Sequence, residues 1–144
     1  MICYAVIDTN VLVSALLSSK DDAATVQVVS RMLRGEIIPI YSNVITEEYR
    51  NVLCRRKFGF EEKLIDYLLT SVEKYGILVD PSPSGITLPD MKDIPFYEVV
   101  LEKRDDGAYL VTGNTKHFPK KPFVVTPREL LNLLDHKTSK ESTN

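Results

Sequence analysis

Three acidic side chains that lie far apart in the sequence stand where they could do chemistry together. Asp8 follows a short apolar run, Glu47 lies in the first turns of a helical segment, and Asp93 precedes an Ile-Pro pair. In open parallel sheets, ligands bind beyond the carboxyl ends of the strands. Carboxylates held together repel one another unless a cation lies between them, and hard oxygen ligands suit Mg²⁺ or Mn²⁺. The pattern therefore favours metal-assisted hydrolysis by a metal-activated water.

Polar and basic residues near these acids could support such a site. Thr9 and Asn10 follow Asp8 directly, and Thr112 and Asn114 follow the fourth predicted strand. Their oxygens can hold water or a ligand, although Thr9 and Asn10 can equally well cap the first helix. Basic side chains on either side could hold a phosphate backbone across the acidic centre. The candidates for that role are Arg55, Arg56, Lys116 and His117.

Each acid also has a purely structural interpretation. Asp8 and Asp93 both stand where an N-cap is expected, and Asp93 is followed by a proline in the first helical turn. Glu47 could be a solvated residue that complements the helix dipole. It is two residues beyond the apolar Ile45, a rotation of roughly 200°, so it is predicted to face away from the apolar seam. Glu48 is an equally good candidate if the helix phase is shifted.

The apolar residues alternate between short continuous runs and helical stripes, which is typical of a layered α/β domain with a mostly parallel sheet. Ser42 or Asn43 is a predicted N-cap, and Thr126 and Glu129 form a predicted capping box. The predicted strands are 2–7, 37–41, 77–79, 108–111 and 123–125. The predicted helices begin near residues 10, 21, 43, 61, 94 and 127.

The strand order 3-2-1-4-5 would bring the candidate residues together. Strands one and four are then neighbours at the point where the winding reverses, which places Asp8, Asn114 and the helix start at Asp93 close to one another. Glu47 follows the adjacent second strand. We expect residues 1–135 to form a single domain and residues 136–144 to form a polar, frayed tail.

Composition restricts the possible class of protein. The chain has 144 residues and a formal net charge of −2, which fits one domain and argues against a generally basic nucleic-acid-binding surface. It contains no apolar run long enough to span a bilayer and no basic region typical of a signal peptide, so we expect a cytoplasmic protein without a membrane anchor. Two cysteines are too few for a disulfide framework.

Three stretches of the chain resemble the motifs of a PIN domain, in the order that the family has them. These stretches are IDTNVLVSALLSS, SNVITEEYRNVL and DMKDIPFYEVVLEKRDDGAYLVTGNTKHFP. The likeness is greatest to the branch that contains the toxin components of toxin-antitoxin systems, whose fourth motif often ends in TGN followed by HFP. The order of the motifs is more specific than any one of them.

This resemblance implies a three-layer α/β/α fold and Mg²⁺- or Mn²⁺-dependent cleavage of single-stranded RNA. It makes Asp8, Glu47 and Asp93 the catalytic acids, with Asp8 and Asp93 as metal ligands. It further implies RNA and a cognate antitoxin protein as partners, and a homodimer. Many PIN domains have a fourth acid where this chain has Asn114, and an amide brings no negative charge. We therefore expect one well-held ion and a weak or absent second site.

Two other functions were compared with this one. Because the fourth acid is missing, the chain could be a PIN-fold module that binds RNA or a protein with little or no cleavage. An aspartyl phosphatase would need a second aspartate two residues after Asp8, but that position is Asn10, which removes the general acid. The phosphatase reaction is therefore disfavoured.

Overall fold

The sheet has the strand order that the sequence predicts. In the computed structural model, which describes residues 2–142 and the side chains of residues 2–136, five parallel strands form one sheet in the order β3-β2-β1-β4-β5. The strands are β1 Cys3–Ile7, β2 Ile37–Tyr41, β3 Ile77–Leu78, β4 Tyr109–Val111 and β5 Val124–Val125. This arrangement confirms the α/β fold class and the predicted order.

Helices cover the sheet on both faces. They are α1 Thr9–Leu17, α2 Ala24–Leu33, α3 Asn43–Leu53, α4 Glu62–Tyr75, α5 Ile94–Glu102 and α6 Pro127–Ser142. α2 packs against α1 and α6, and α3 packs against α4 and α5. Successive residues of a strand point to opposite faces, and Val6 and Ile7 in β1 are 0% and 1% exposed. Both faces of the central strand are therefore buried, as expected for the middle layer of three.

The helix starts show the predicted capping chemistry. Ser42 Oγ accepts a hydrogen bond of 3.3 Å from the backbone N–H of Ile45 at the start of α3. Thr126 and Glu129 bond reciprocally: the N–H of Thr126 donates to Glu129 Oε1 at 2.9 Å, and the N–H of Glu129 donates to Thr126 Oγ1 at 3.1 Å. These bonds fix where α3 and α6 begin.

The last helix extends into the region expected to form the tail. The helical backbone of α6 continues to Ser142, beyond residue 135 where we expected the domain to end. Residues 143–144, the last of the expected tail, lie outside the described residues. Within residues 2–142, no helix combines the length and hydropathy needed to cross a membrane.

Candidate active site

Asp8 lies at the carboxyl end of β1, beside the end of β4. Its N–H donates to the carbonyl of Val111 at 2.9 Å, and Thr112 Oγ1 donates to Asp8 Oδ2 at 2.7 Å. The side chain makes no capping bond to α1, although Asp8 occupies the N-cap position. These contacts hold the carboxylate at the reversal of the winding, where the fold is expected to bind its ligand.

Burial changes the acidity of Asp8. The residue is 6% exposed. Burial, together with the charges of Asp93 and Glu48, raises the pKa of Asp8 to about 6, while the hydrogen bond from Thr112 opposes the change. The ionised carboxylate is therefore destabilised in the absence of a compensating positive charge.

The structure places Glu48, and not Glu47, beside these acids. Glu48 Oε2 accepts a hydrogen bond from the Thr9 hydroxyl, whereas Glu47 is exposed. Burial raises the pKa of Glu48, as does the charge of Asp93, whereas the Thr9 hydrogen bond and the charge of Arg55 lower it. The geometric expectation for Glu47 is corrected accordingly, in favour of the alternative that a shifted helix phase left open.

Glu48 rather than Glu47 lies at the site because the site borders the core. α3 buries Ile45, Tyr49 and Leu53, and the seam they form packs into the interior. Glu48 flanks this seam and is half-buried, because the acidic site borders the core. A residue opposite the seam, such as Glu47, points to solvent.

Asp93 is held without acting as a helix cap. It ends a 3₁₀ turn, Met91–Asp93, just before α5, and its side chain makes no capping bond. Asp90 has the capping role, because its Oδ1 accepts a bond of 3.0 Å from the N–H of Lys92. The side chain of Asp93 therefore does not cap the helix, and its carboxylate remains available to a ligand.

His117 faces Asp93 across the site. Its Nδ1 lies 3.4 Å from Asp93 Oδ2, which is too long for a good hydrogen bond. Asp93 Oδ2 is buried, and no group in the described part of the chain bonds to it. Burial raises the pKa of Asp93, the charge of Asp90 raises it further, and His117 lowers it. The histidine thus contacts one of the candidate catalytic acids.

The supporting polar residues tie the two strand ends together. Asn10 Oδ1 accepts a bond of 3.1 Å from the N–H of Gly113, and Thr112 Oγ1 accepts one of 3.0 Å from the N–H of Asn114. The exposed Asn114 side chain lines a neighbouring cavity of about 510 Å³ and not the cavity beside the carboxylates. The backbone of Asn114 is thus linked through the Thr112 hydroxyl to Asp8, while the Asn114 side chain is exposed.

A cavity of about 650 Å³ opens beside the acids. Its lining includes the polar and charged residues Thr9, Asn10, Glu48, Asp90, Lys92 and Asp93. It also includes the apolar residues Val13, Leu17, Val52 and Phe58. Both the size and the mixed lining are typical of a ligand site.

The candidate substrate-binding residues are not all at this cavity. Arg55 is close enough to Glu48 to lower the pKa of that carboxyl. Arg56 is exposed in the turn after α3, and Lys116 lines a separate basic cavity near β5.

Two residues that line the cavity, Lys92 and Phe58, were not among the residues predicted from the sequence. The signal for Lys92 is its position next to Asp93. The signal for Phe58 is the basic run RRK that precedes it, because single-stranded nucleic acids favour surfaces that combine aromatic and basic side chains.

The donors fit a hydrated divalent ion better than a closed cage. Among the described residues, no three His, Cys, Asp or Glu side chains are close enough to hold an ion together. Mg²⁺ usually keeps several waters and takes one or two carboxylates. Asp8, Glu48 and Asp93 act on one another electrostatically, and Asp93 has a buried oxygen without a bond. A cation held by one or two of these carboxylates would offset their mutual repulsion and would give the buried Asp93 oxygen a partner.

Comparison with known proteins identifies the family. No curated protein and no solved structure matches the chain significantly. A protein-family model described as a PIN domain matches residues 4–116, which include Asp8, Glu48 and Asp93. This match spans more than three quarters of the chain, and the chain therefore belongs to the PIN-domain family.

Proposed function

We propose that this protein is a metal-dependent endoribonuclease that cleaves single-stranded RNA with a metal-activated water. PIN domains are generally nucleases, and those nucleases generally use divalent metals. One observation carries the proposal: Asp8, Glu48 and Asp93 come from three separate segments to the reversal of the sheet, where Thr112 bonds to Asp8, Thr9 bonds to Glu48, and Glu48 and Asp93 line a cavity. A parallel sheet places its functional groups at this point.

The acids have different tasks in this proposal. Asp8 and Asp93 would hold Mg²⁺ or Mn²⁺, and such an ion supplies an acidified water and shields the charge that builds on a phosphoryl oxygen. Thr112 orients the Asp8 carboxylate through its hydroxyl, and His117 lies against that of Asp93. Glu48, rather than Glu47, is the third acid and is suited to orienting a water, because Thr9 fixes one of its oxygens.

The biological setting is a further part of the proposal. We propose that the enzyme acts in the cytoplasm as the toxin of a toxin-antitoxin pair, and that a cognate antitoxin protein blocks the acidic cavity. The TGN and HFP motifs, which resemble that branch of the family, support this role. A homodimer would join two cavities into one groove, and the mass of the purified protein by light scattering tests it.

Purified protein, Mn²⁺ and an unstructured, fluorescently labelled RNA test the nuclease directly. We expect cleavage by the wild type and its loss in Asp8→Asn and in Asp93→Asn, with the circular dichroism spectrum unchanged. Exposed Asp22 is a matched control, and Asp22→Asn should cleave like the wild type. Equal cleavage by all four proteins would indicate a contaminating nuclease and contradict the proposal.

One observation favours a binding module as the second candidate. The described residues contain no preformed three-residue metal cage, and the amide of Asn114 adds no negative charge. A chain of this kind could bind RNA without cutting it. RNA binding by the wild type, with no cleavage at any Mn²⁺ or Mg²⁺ concentration, would favour the module over the enzyme.

A further inference from the structure

The turn after α3 carries an aromatic ring into the wall of the acidic cavity. Phe58 is half-buried and lines the same cavity as Glu48 and Asp93. The proposed metal chemistry does not use this ring. The apolar Val13 and Leu17 of α1 and Val52 of α3 line the same cavity.

The position of the Phe58 ring is defined by its local structure. The N–H of Phe58 donates to the carbonyl of Arg55 at 3.1 Å, and the N–H of Gly59 donates to Arg56 at 3.2 Å, so the turn is closed by two backbone bonds. Gly59 has a φ of +66°, a conformation that favours glycine. The ring of Phe60 stacks on that of Phe58 at 5.4 Å between centroids and 12° between planes. The ring is thus supported before any ligand arrives.

Positive charge lies near the Phe58 ring and elsewhere at the cavity. Lys57 Nζ lies 5.2 Å from the centroid of the Phe58 ring, and Lys57 is exposed. Lys92 lines the cavity, and Arg55 interacts with Glu48. The lining of the cavity therefore combines acidic, apolar and aromatic residues with Lys92, and Lys57 lies over the aromatic ring. A nucleotide of a single strand has matching parts, since its base is flat and apolar on its faces and its phosphate is anionic.

We infer that Phe58 is a stacking platform for one unpaired base of the RNA strand whose phosphate lies at Asp8 and Asp93. The inference rests on the proposed function in that it takes RNA as the ligand. A ring stacked on one face by Phe60 retains a second face for a base. Lys57 is exposed, so it can leave the ring when the base arrives and meet a neighbouring phosphate.

This arrangement would favour single strands over duplexes. A base can stack on Phe58 only when it is unstacked from its neighbours, and paired bases in an A-form helix are not available in this way. Stacking is tolerant of base identity because every base has a π face. The platform should therefore select unpaired RNA without a strong sequence preference.

The test separates binding from cleavage. In the Asp8→Asn background, which keeps the RNA intact, binding of a short single-stranded RNA carrying one 2-aminopurine is followed by fluorescence. We expect quenching of the 2-aminopurine and its loss in Phe58→Leu, which keeps apolar bulk without a π face, with affinity about 5- to 100-fold weaker. Phe58→Trp should retain both quenching and affinity. The same RNA annealed to its complement should not be quenched.

Tyr67 provides the matched control. It is a 60% exposed aromatic residue on α4 that lines a different cavity, so Tyr67→Leu should bind and quench like its parent.

Two results would overturn the platform: unchanged affinity and quenching in Phe58→Leu, or no quenching by any single-stranded RNA. Phe58 would then be a contact for the side chain of a protein partner instead. If the wild type cleaves but Phe58→Leu keeps the same KM, the platform fails and the nuclease stands. If Phe58-dependent quenching occurs without any cleavage by the wild type, the nuclease fails and the platform stands.

Discussion

At the scale of single residues, Asp8 combines a stabilising contact with a destabilising charge. Its carboxylate is fixed by Thr112, yet burial and two neighbouring acids oppose its ionisation. The folded protein therefore binds a proton at Asp8 more tightly than the unfolded chain does. Such a residue is retained at a cost in stability when its charge serves function.

The first prediction concerns stability in the absence of metal. Because the pKa of Asp8 is raised from 3.8 to about 6, the free energy of unfolding should fall as pH rises through that window. At pH 7.5 in EDTA, Asp8→Asn should be more stable than the wild type by about 2 kcal/mol, since the amide carries no charge to bury. At about pH 4, where the folded wild type is protonated, the difference should largely disappear.

Urea denaturation of both proteins at the two pH values measures this difference. Asp22→Asn, an exposed aspartate, should behave like the wild type at both. A metal-free Asp8→Asn protein that is less stable than the wild type at pH 7.5 would contradict the prediction.

The second prediction uses two neighbouring glutamates on α3. Glu48 is half-buried and bonded to Thr9, whereas Glu47 is exposed, so Glu48→Gln should lower the cleavage rate by about 10- to 100-fold. Glu47→Gln should leave it unchanged. Initial rates at saturating Mn²⁺ compare the two, and equal losses in both variants would show that Glu48 has no special position.

At the scale of the elements, the close packing of α4 on β2 depends on a residue without a side chain. Gly76 follows α4, and a Cβ added there would lie 2.4 Å from the carbonyl oxygen of Val72 and 2.5 Å from that of Pro39. Both atoms belong to the backbone and cannot rotate away. Gly76 is needed here for close approach and not for a left-handed backbone, since its φ is −93°.

The third prediction follows from this contact. Gly76→Ala should lower the free energy of unfolding by about 2–3 kcal/mol, because α4 must move away from β2. Gly35→Ala is the comparison: a Cβ there meets nothing within 4 Å, and the change costs only the strain of a φ of +84°, about 1 kcal/mol. Thermal melts rank the two variants, and a larger loss at Gly35 would contradict the packing argument.

The elements also show how far sequence can predict this molecule. The strand order and the caps at Ser42 and Thr126 follow from local chemistry and from the rules of parallel sheets. The choice between Glu47 and Glu48 does not, because helical periodicity shows which face is buried but not which flank of the seam borders a site.

At the scale of the whole molecule, the net charge is small, and positive side chains lie at particular places on the surface. The chain carries a net charge of −2, yet Lys57 and Lys92 lie beside the acidic cavity. Such an arrangement can hold a phosphate near a cation site without a general attraction for nucleic acids. The sequence predicted basic residues on both sides of the acids, but the structure assigns Lys116 to a separate cavity. Loop positions of this kind depend on tertiary packing, which sequence patterns do not report.

A bound ion should also stabilise the whole fold. Relief of the repulsion among Asp8, Glu48 and Asp93 favours the folded, metal-bound state, and saturation at 100 times the dissociation constant should raise the free energy of unfolding by about 2.7 kcal/mol. The ion is expected to be single, because Asn114 adds no negative charge.

Calorimetric titration of the metal-free protein with Mn²⁺ tests the central claim most directly, namely that Asp8 and Asp93, from distant parts of the sequence, hold one divalent ion. We predict one ion per chain for the wild type and for Glu47→Gln, strongly weakened binding in Asp8→Asn and Asp93→Asn, and a thermal melting temperature that rises with Mn²⁺ only where binding is seen. Two ions per chain in the low-micromolar range, or binding that is unchanged in Asp8→Asn and Asp93→Asn, would contradict the account.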